Sequence, residues 1–320
     1  MIVVAGEALI DLILSPDGTL TANPGGGPFN AARTIARLGV DAAFVGRLSD
    51  DLFGRRMAGL LAADGVDLRW TATTTDPTTL AVAELDAGGA AHYRFYLEGT
   101  SSPGLARSDL SGEPWAERHE VTAVHVGTLG LMVEPMASTY EWLVGALADD
   151  VLVLVDPNCR PTVLRDPTVE AAYRARLDRV LARADVVKVS GDDLAFLSPG
   201  QAAVDAARDL LRLGPAVVLV TDGAEQLLVV TPTGFLVVPV PRVAVVDTVG
   251  AGDAFGGAFL AAWSAAGRGR PELLDHGALR AAVDLAVRVA GTTCERQGAD
   301  PPHRSELDPA TAAGFRRGGR

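Results

Sequence analysis

Short apolar runs rich in β-branched residues alternate with amphipathic stretches along most of this chain. IVVAG opens the series, and PFNAARTIARLG follows at 28–39, where Pro28 suits a first helical turn and Gly39 a C-terminal cap. AAFVG precedes DDLFGRRMAGLLAADG, in which Phe53, Met57, Leu60 and Leu61 share one helical face. VTAVHVG, VLVLVD, DVVKVS and AVVLVTDG are further strand-like runs, each leading toward a helical stretch. Apolar runs without internal alternation, joined by helices, predict an α/β fold in three layers: a mostly parallel central sheet covered by helices on both faces.

Two stretches break that rhythm. DLILSPDGTLTANPGG and TTLAVAELDAGGAAHYRFYLE contain no helical period but carry the hairpin signals SPDG and DAGG. In the second, Tyr93, Phe95 and Leu97 fall on one face and Arg94, Tyr96 and Glu98 on the other. These segments, near 11–25 and 73–100, predict a small β lid inserted into a single α/β domain spanning 1–320. The glycine- and arginine-rich tail FRRGGR is expected to be disordered. There is no internal repeat.

The stretch VVDTVGAGDAFGGAFLAAW, 245–263, reads as a buried strand running into a helix with Phe255, Phe259 and Trp263 on one face. Its glycines are out of place in a helix, where each costs roughly 1 kcal/mol against alanine. They make sense if an anion must reach the unpaired N–H groups at the helix start, where the macrodipole adds partial positive charge. Gly250, Ala251 and Gly252 present little or no side chain there, and Gly256 and Gly257 allow a close approach one turn later. Neither the Walker lysine pattern nor G-x-G-x-x-G is matched. Asp253, set beside this corner, reads either as a stabiliser of the helix start or as a general base for a hydroxyl attacking a phosphoryl group.

Composition narrows the classes. With 48% hydrophobic but only 5% aromatic residues, alanine, valine and leucine must fill a sizeable core. A formal net charge of −12 argues against a nucleic-acid partner, whose phosphates need clustered cations. The two cysteines, Cys159 and Cys294, have no metal-ligand spacing and read as reduced thiols. The apolar opening lacks a basic n-region and is interrupted by Glu7 and Asp11, and no run reaches membrane-span length, so a soluble, cytoplasmic protein is expected.

DTVGAGDAFGGAF, together with GGGPFNAARTIARLGVDAAFVGRLSDDLFG some two hundred residues earlier, resembles the paired signatures of the ribokinase-like, pfkB-type carbohydrate kinases. FYLEGTSS, HVGTLG, DPNCRP and CERQGADPP extend the likeness over nearly the whole chain. The resemblance implies that Asp253 is the catalytic base and that Gly250, Ala251 and Gly252 form an anion hole. It places Asp11, Gly26, Gly27 and Asn30 on the sugar hydroxyls, and Arg160 near the transferred phosphate or the distal end of the substrate. It assigns Asp247 to a monovalent cation such as K+. Ribose-specific members tend to carry lysine where Gly27 stands, while fructokinases have a small residue, which leans away from ribose. Keto-acid kinases carry an arginine where Leu97 stands, which weakens that alternative although Tyr96 and Arg160 remain as substrate contacts.

On the nucleotide side the family's N-x-x-E is replaced by SGDD, with Ser190 and Asp193 in those places and Lys188 just before. VTDGAEQ leaves Thr221 and Gly223 as phosphate contacts, and Val287 falls where the adenine pocket would be. The expectation is an ATP- and Mg2+-dependent kinase acting on a primary hydroxyl of a small sugar, fructose first. 2-Keto-3-deoxygluconate kinase, nucleoside kinase and a non-catalytic sugar- or nucleotide-binding regulator follow as alternatives. The partners expected are a small sugar and ATP, with no nucleic acid and no membrane; a homodimer through the β lid is the assembly the lid allows.

Overall fold

A computed structural model describes residues 1–15, 17–85, 91–110 and 120–316. The chain runs β1 (Ile2–Ala5), β2 (Leu9–Leu14), β3 (Leu20–Gly25), α1 (Gly27–Arg37), β4 (Ala42–Val45), β5 (Arg47–Ser49), α2 (Leu52–Ala63) and β6 (Ala72–Thr74). It continues through β7 (Leu80–Leu85), β8 (Ala91–Tyr96), β9 (Ala123–Gly127), α3 (Met136–Gly145), β10 (Leu152–Asp156), α4 (Pro167–Leu181) and β11 (Val186–Ser190). Then come α5 (Gly191–Leu197), α6 (Ala203–Leu211), β12 (Val217–Asp222), β13 (Gln226–Thr231), β14 (Gly234–Val238), α7 (Ala251–Ala265), α8 (His276–Cys294) and α9 (Pro309–Ala313).

The central sheet has eight strands in the order β14-β13-β12-β11-β10-β9-β1-β4. Pairing is parallel from β4 to β12 and antiparallel for β12-β13 and β13-β14. Period-two alternation divides the strand residues between two cores. Ile2, Val4, Leu152, Leu154 and Val186 meet α1, α7 and α8, while Val3, Val124, Val153, Val155 and Val187 meet α3, α4 and α6. This is the three-layer α/β arrangement expected from the apolar runs. The antiparallel pair β13-β14 extends it at one edge, beyond the strands read from the sequence.

A second sheet, in the order β3-β2-β7-β8, forms the lid. β2 and β7 pair in parallel across 65 residues of intervening chain, 15–79, and each makes an antiparallel hairpin with its neighbour. The lid begins at Leu9 rather than 11, and Ala72–Thr74 pairs with Arg47–Ser49 instead, so the second lid segment starts at Leu80. The DAGG turn, Pro16 of SPDG and the last four residues of the tail lie outside the described residues.

One expected strand is absent. The segment before α7 has no strand assignment, and Val245 and Val246 are 59% and 64% exposed. Their main chain is held instead by Cys294, whose carbonyl accepts from Val246 N at 2.8 Å and Asp247 N at 3.2 Å. An apolar run bounded by turn residues resembles a buried strand, but here the run crosses the open end of the molecule and lends Val245 to a cavity wall.

Candidate active site

A cavity of about 1040 Å3 opens where the parallel strands end, beneath the lid. The crevice beyond the carboxyl ends of such strands is where α/β folds assemble binding sites. Two helix starts enter it. α1 begins after Gly26, whose φ of 106° lies in the left-handed region, and α7 begins after Gly250, with φ 77°. A side chain on Gly250 would also meet Ala299, whose Cβ stands 2.5 Å from the position a Cβ would take. Both positions therefore require glycine for conformation as well as for access.

Asp253 sits in the first turn of α7, and Asn30 Nδ2 donates to its Oδ2 at 2.9 Å. A Cβ on Gly27 would stand 3.1 Å from Asp253 Oδ1, 2.8 Å from Thr128 Cγ2 and 3.5 Å from Asn158 Nδ2. Gly27 thus keeps open the space directly in front of the carboxylate. Asn30 is buried, and its Oδ1 has no hydrogen-bond partner among the described residues. An orphaned amide oxygen beside a cavity calls for a donor from a ligand. The N–H groups of Gly252 and Asp253 have no acceptor within α7, because a helix's first donors precede its hydrogen-bonding register.

The lid supplies the opposite wall. Cross-strand register aligns Asp11, Ala81 and Phe95 in one row, and Phe95 stacks on Tyr93 with centroids 6.2 Å apart. Asp11, Tyr93 and Phe95 line the cavity. Tyr96, expected as a substrate contact, does not: it lies on the other lid face and is 51% exposed, as strand alternation requires. Leu97, just past the end of β8, packs against the core under α3 and α4 rather than facing the cavity.

Arg160 lines the same end, its Nη1 donating to the Asn158 backbone oxygen at 2.9 Å and to Asn158 Oδ1 at 2.5 Å. Asn158 holds a left-handed φ of 38° to make this turn. Glu7 enters from the end of β1, accepting from Thr128 Oγ1 and from Gly130 N at 3.2 Å. Burial pushes its carboxyl up to about 7, opposed by Thr128 and Arg160. Burial, with Asp253 adding repulsion, likewise raises Asp11 to about 7. Glu7, Thr128, Asn158, Tyr93 and Phe95 were missed as site residues in sequence. Glu7 was visible only as a charge interrupting an apolar run, and Asn158 only as part of DPNCRP.

The far end of the cavity is lined by Ser190, Thr221, Gly223, Val245 and Val287 with Arg242. Lys188 stands between the two ends, paired with Asp156 at 3.0 Å. Asp193, expected to keep an acidic role toward the nucleotide, is instead consumed by the fold. Its Oδ1 accepts from Cys159 N at 2.6 Å, and its Oδ2 accepts from Ser190 N and Ser190 Oγ at 2.8 and 2.7 Å. Asp192 is the acidic residue of that helix start that lines the cavity. Asp247 also lies off the cavity wall: its carboxylate accepts from Val249 N at 3.0 Å and Gly298 N at 2.9 Å, joining the loop before α7 to the segment after α8.

A glycine-framed helix start, a carboxylate beside it and polar groups facing across a lidded cavity can hold a polyol against a phosphoryl group. The sequence model for pfkB family carbohydrate kinases matches residues 1–305. The chain belongs to that family. Among its relatives, this kinase is 37% identical over 269 residues to fructokinase from Rhizobium leguminosarum bv. trifolii, covering 82% of this chain and 79% of that one. It is 36% identical to fructokinase from Klebsiella pneumoniae, covering 95% and 97%. Of solved structures, Xylella fastidiosa fructokinase with bound ATP superposes with a TM-score of 0.83 at 29% identity, covering 93% of each chain. Vibrio cholerae O395 fructokinase in its fructose, ADP and calcium ion bound form gives a TM-score of 0.80 at 27% identity, covering 98% of each. In this kinase no helix among the described residues is long and apolar enough to cross a membrane.

The raised Glu7 pKa makes a stability prediction. Between its ordinary value of 4.5 and about 7, the folded state holds a proton that the unfolded state has released, so this group's contribution to stability is lost as pH rises. Glu7→Gln removes that loss. The melting temperature of the variant relative to wild type should therefore climb from pH 5 to pH 8, by the equivalent of about 1–3 kcal/mol. A pH-independent difference in melting scans would show that Glu7 is not a strained buried acid.

Proposed function

We propose that the protein is an ATP-dependent fructokinase that transfers the γ-phosphoryl group to a primary hydroxyl of fructose. The observation that carries this reading is the position of Asp253. Its carboxylate accepts from Asn30 in the first turn of α1, and its own helix start offers unpaired N–H groups beside it. The fructokinases it resembles support the choice of sugar.

In this reading Asp11, Asn30 and the Gly26-Gly27 backbone hold the sugar hydroxyls, since a desolvated hydroxyl needs a defined partner. The attacking hydroxyl oxygen forms the new bond to the γ-phosphorus as the bond to ADP breaks, and its proton passes to Asp253. The α7 N-terminus, from Gly250 through Gly252, stabilises the charge on the transferring group. Arg160 and Lys188 add fixed cations at either side. Ser190, Thr221 and Gly223 contact the nucleotide phosphates, and Val287 with Val245 flanks the base.

Mg2+ bound with the nucleotide would supply charge neutralisation across the phosphates. Asp247 would serve K+ by ordering the loop that the cation borders. The kinase works in the cytoplasm, where Cys159 and Cys294, both unpaired, stay reduced. Dimerisation would pair the outward lid faces, where Leu14, Leu20 and Tyr96 are exposed.

The sugar end also separates neutral sugars from sugar acids. Glu7, Asp11 and Asp253 line it together, with Arg160 already engaged by Asn158. A substrate carboxylate would meet the like charge of Asp253, and only the remaining N–H groups of Arg160, whose Nη1 is turned to Asn158, could pair it. We expect kcat/KM for fructose to exceed that for 2-keto-3-deoxygluconate in an ADP-release assay at one ATP and Mg2+ concentration. The reverse order would move the assignment to the keto-acid.

Asp253→Asn keeps the partner for Asn30 but cannot accept a proton. Its kcat should fall at least ~10²-fold with the fold intact, and turnover within a few-fold of wild type would remove Asp253 as the base. Gly252→Val should abolish turnover while melting near wild type. The added side chain obstructs both the anion and Lys188 Nζ, which stands 3.0 Å from the position of its Cβ. An active variant would dispose of the anion hole.

A further inference from the structure

Beneath the first turns of α7, three polar residues stand on the strand face that is otherwise apolar. Alternation along β9, β10 and β11 puts His125, Asp156 and Lys188 on the same side as Ala123, Leu154 and Val186, the side covered by α7. Lys188 and Asp156 are each almost fully buried, with side-chain exposures of 5% and 1%, and Nζ lies 3.0 Å from Oδ2. A pair so dry is expensive to bury and is poor evidence of stabilisation in itself. Its direction gives it a use. The ammonium reaches the cavity wall and stands 3.0 Å from where a Cβ on Gly252 would be, at the anion-accepting end of the helix.

We propose that Asp156 is a positioning residue that holds the Lys188 ammonium beneath Gly252, so that this charge faces the phosphoryl group being transferred. This rests on the kinase reading above and deepens it. Lysine is a long, flexible side chain, and a cation free to swing would lose entropy each time it met the phosphate. Ion pairing fixes it before the substrate arrives, which is the condition for electrostatic stabilisation without reorganisation. Burial alone would lower the Lys188 pKa, but Asp156, then Asp193 and Asp253, outweigh it and raise it, so the ammonium stays charged. The neighbouring His125 is held neutral, driven down to about 3 by burial and by Lys188 itself, and so adds no competing charge. Burial pushes the Asp156 carboxyl up to about 6, opposed by Lys188, and its Oδ1 has no hydrogen-bond partner among the described residues, so the ammonium 3.0 Å from Oδ2 is the group that holds its charge.

The test is a cycle of Asp156→Asn, Lys188→Met and the double variant, each melted, assayed with fructose, and titrated with ADP and with a non-hydrolysable ATP analogue. Asp156→Asn should lower kcat roughly 10- to 100-fold. It should also weaken the triphosphate analogue at least about fivefold and leave the ADP Kd within about threefold, because only the transferring phosphoryl meets the lysine. In the Lys188→Met background the same substitution should add little. A merely structural pair would instead lower the melting temperature and weaken both nucleotides alike, or show additive losses in kcat, and either result overturns the proposal. If Asp156→Asn does not fold, Asp156→Glu, which keeps the charge but displaces it, should show the same split between nucleotides. A wild type inactive on fructose that still shows the triphosphate-over-diphosphate difference would sink the sugar assignment and leave the role of Asp156 standing.

Discussion

The hydrogen bond from Asn30 to Asp253 joins two helix starts that are 223 residues apart in sequence, and the geometry of the cavity depends on that junction. α1 and α7 can meet so closely because Gly257 lacks a side chain: a Cβ there would lie 2.8 Å from the Ala31 backbone oxygen. Gly256, on the adjacent face, sits over His125 at the ends of the strands. The glycines in α7 therefore do different things along one helix. Gly250 permits the left-handed turn, Gly252 leaves room for an anion and for Lys188, and Gly257 lets α1 approach. The helix-propensity cost they carry is a few kcal/mol at most, less than full burial of Phe255, Phe259 and Trp263 returns.

That junction is braced from behind. Arg33 and Arg37 on α1 share Asp64, at 2.6 and 2.9 Å, and Arg37 also holds Asp300 at 2.6 Å. Ala299, beside Asp300, presses against Gly250, and the neighbouring Gly298 N–H is taken by Asp247. A chain of ion pairs and backbone bonds thus runs from α1 through the segment after α8 to the turn that opens α7. Breaking such a chain by removing one buried charge leaves its partner uncompensated, which is why these arginines are fixed structure although none touches the cavity.

The layered fold was legible because alternation of apolar runs and amphipathic stretches reports burial directly. Each parallel strand in the centre is hydrophobic on both faces, and its helices carry one stripe. What could not be read locally was which way a residue faces once tertiary packing overrides pattern. Val245 and Val246 have strand-like chemistry but stand in an exposed loop, because their backbone partners come from Cys294 rather than a neighbouring strand. Asp193 and Asp192 are adjacent acids, and only the capping geometry of Ser190 decides that the first is spent on the fold and the second faces the cavity. Tyr96 was named from its place in a motif, although the alternation noted in the same stretch already put it opposite Tyr93 and Phe95. Glu7 and Asn158 needed three dimensions, since each reaches the site through partners distant in sequence or through an unusual backbone turn.

The charge balance of the molecule gains a local meaning from this arrangement. A chain with net charge −12 must receive a polyanionic nucleotide, and long-range attraction cannot do it. Short-range fields can, provided they are dry and fixed. The start of α7 contributes partial positive charge without a side chain, and Lys188 contributes a full charge whose counter-ion lies behind it, away from the cavity. Glu7, Asp11 and Asp253 line the end under the lid, where a neutral sugar uses them as acceptors, while Asp192 and Asp222 line the nucleotide end. The end at Lys188 and the start of α7 is suited to the phosphates and the end under the lid to hydroxyls, with Asp253 at the boundary where a proton must leave one and a phosphoryl group must leave the other.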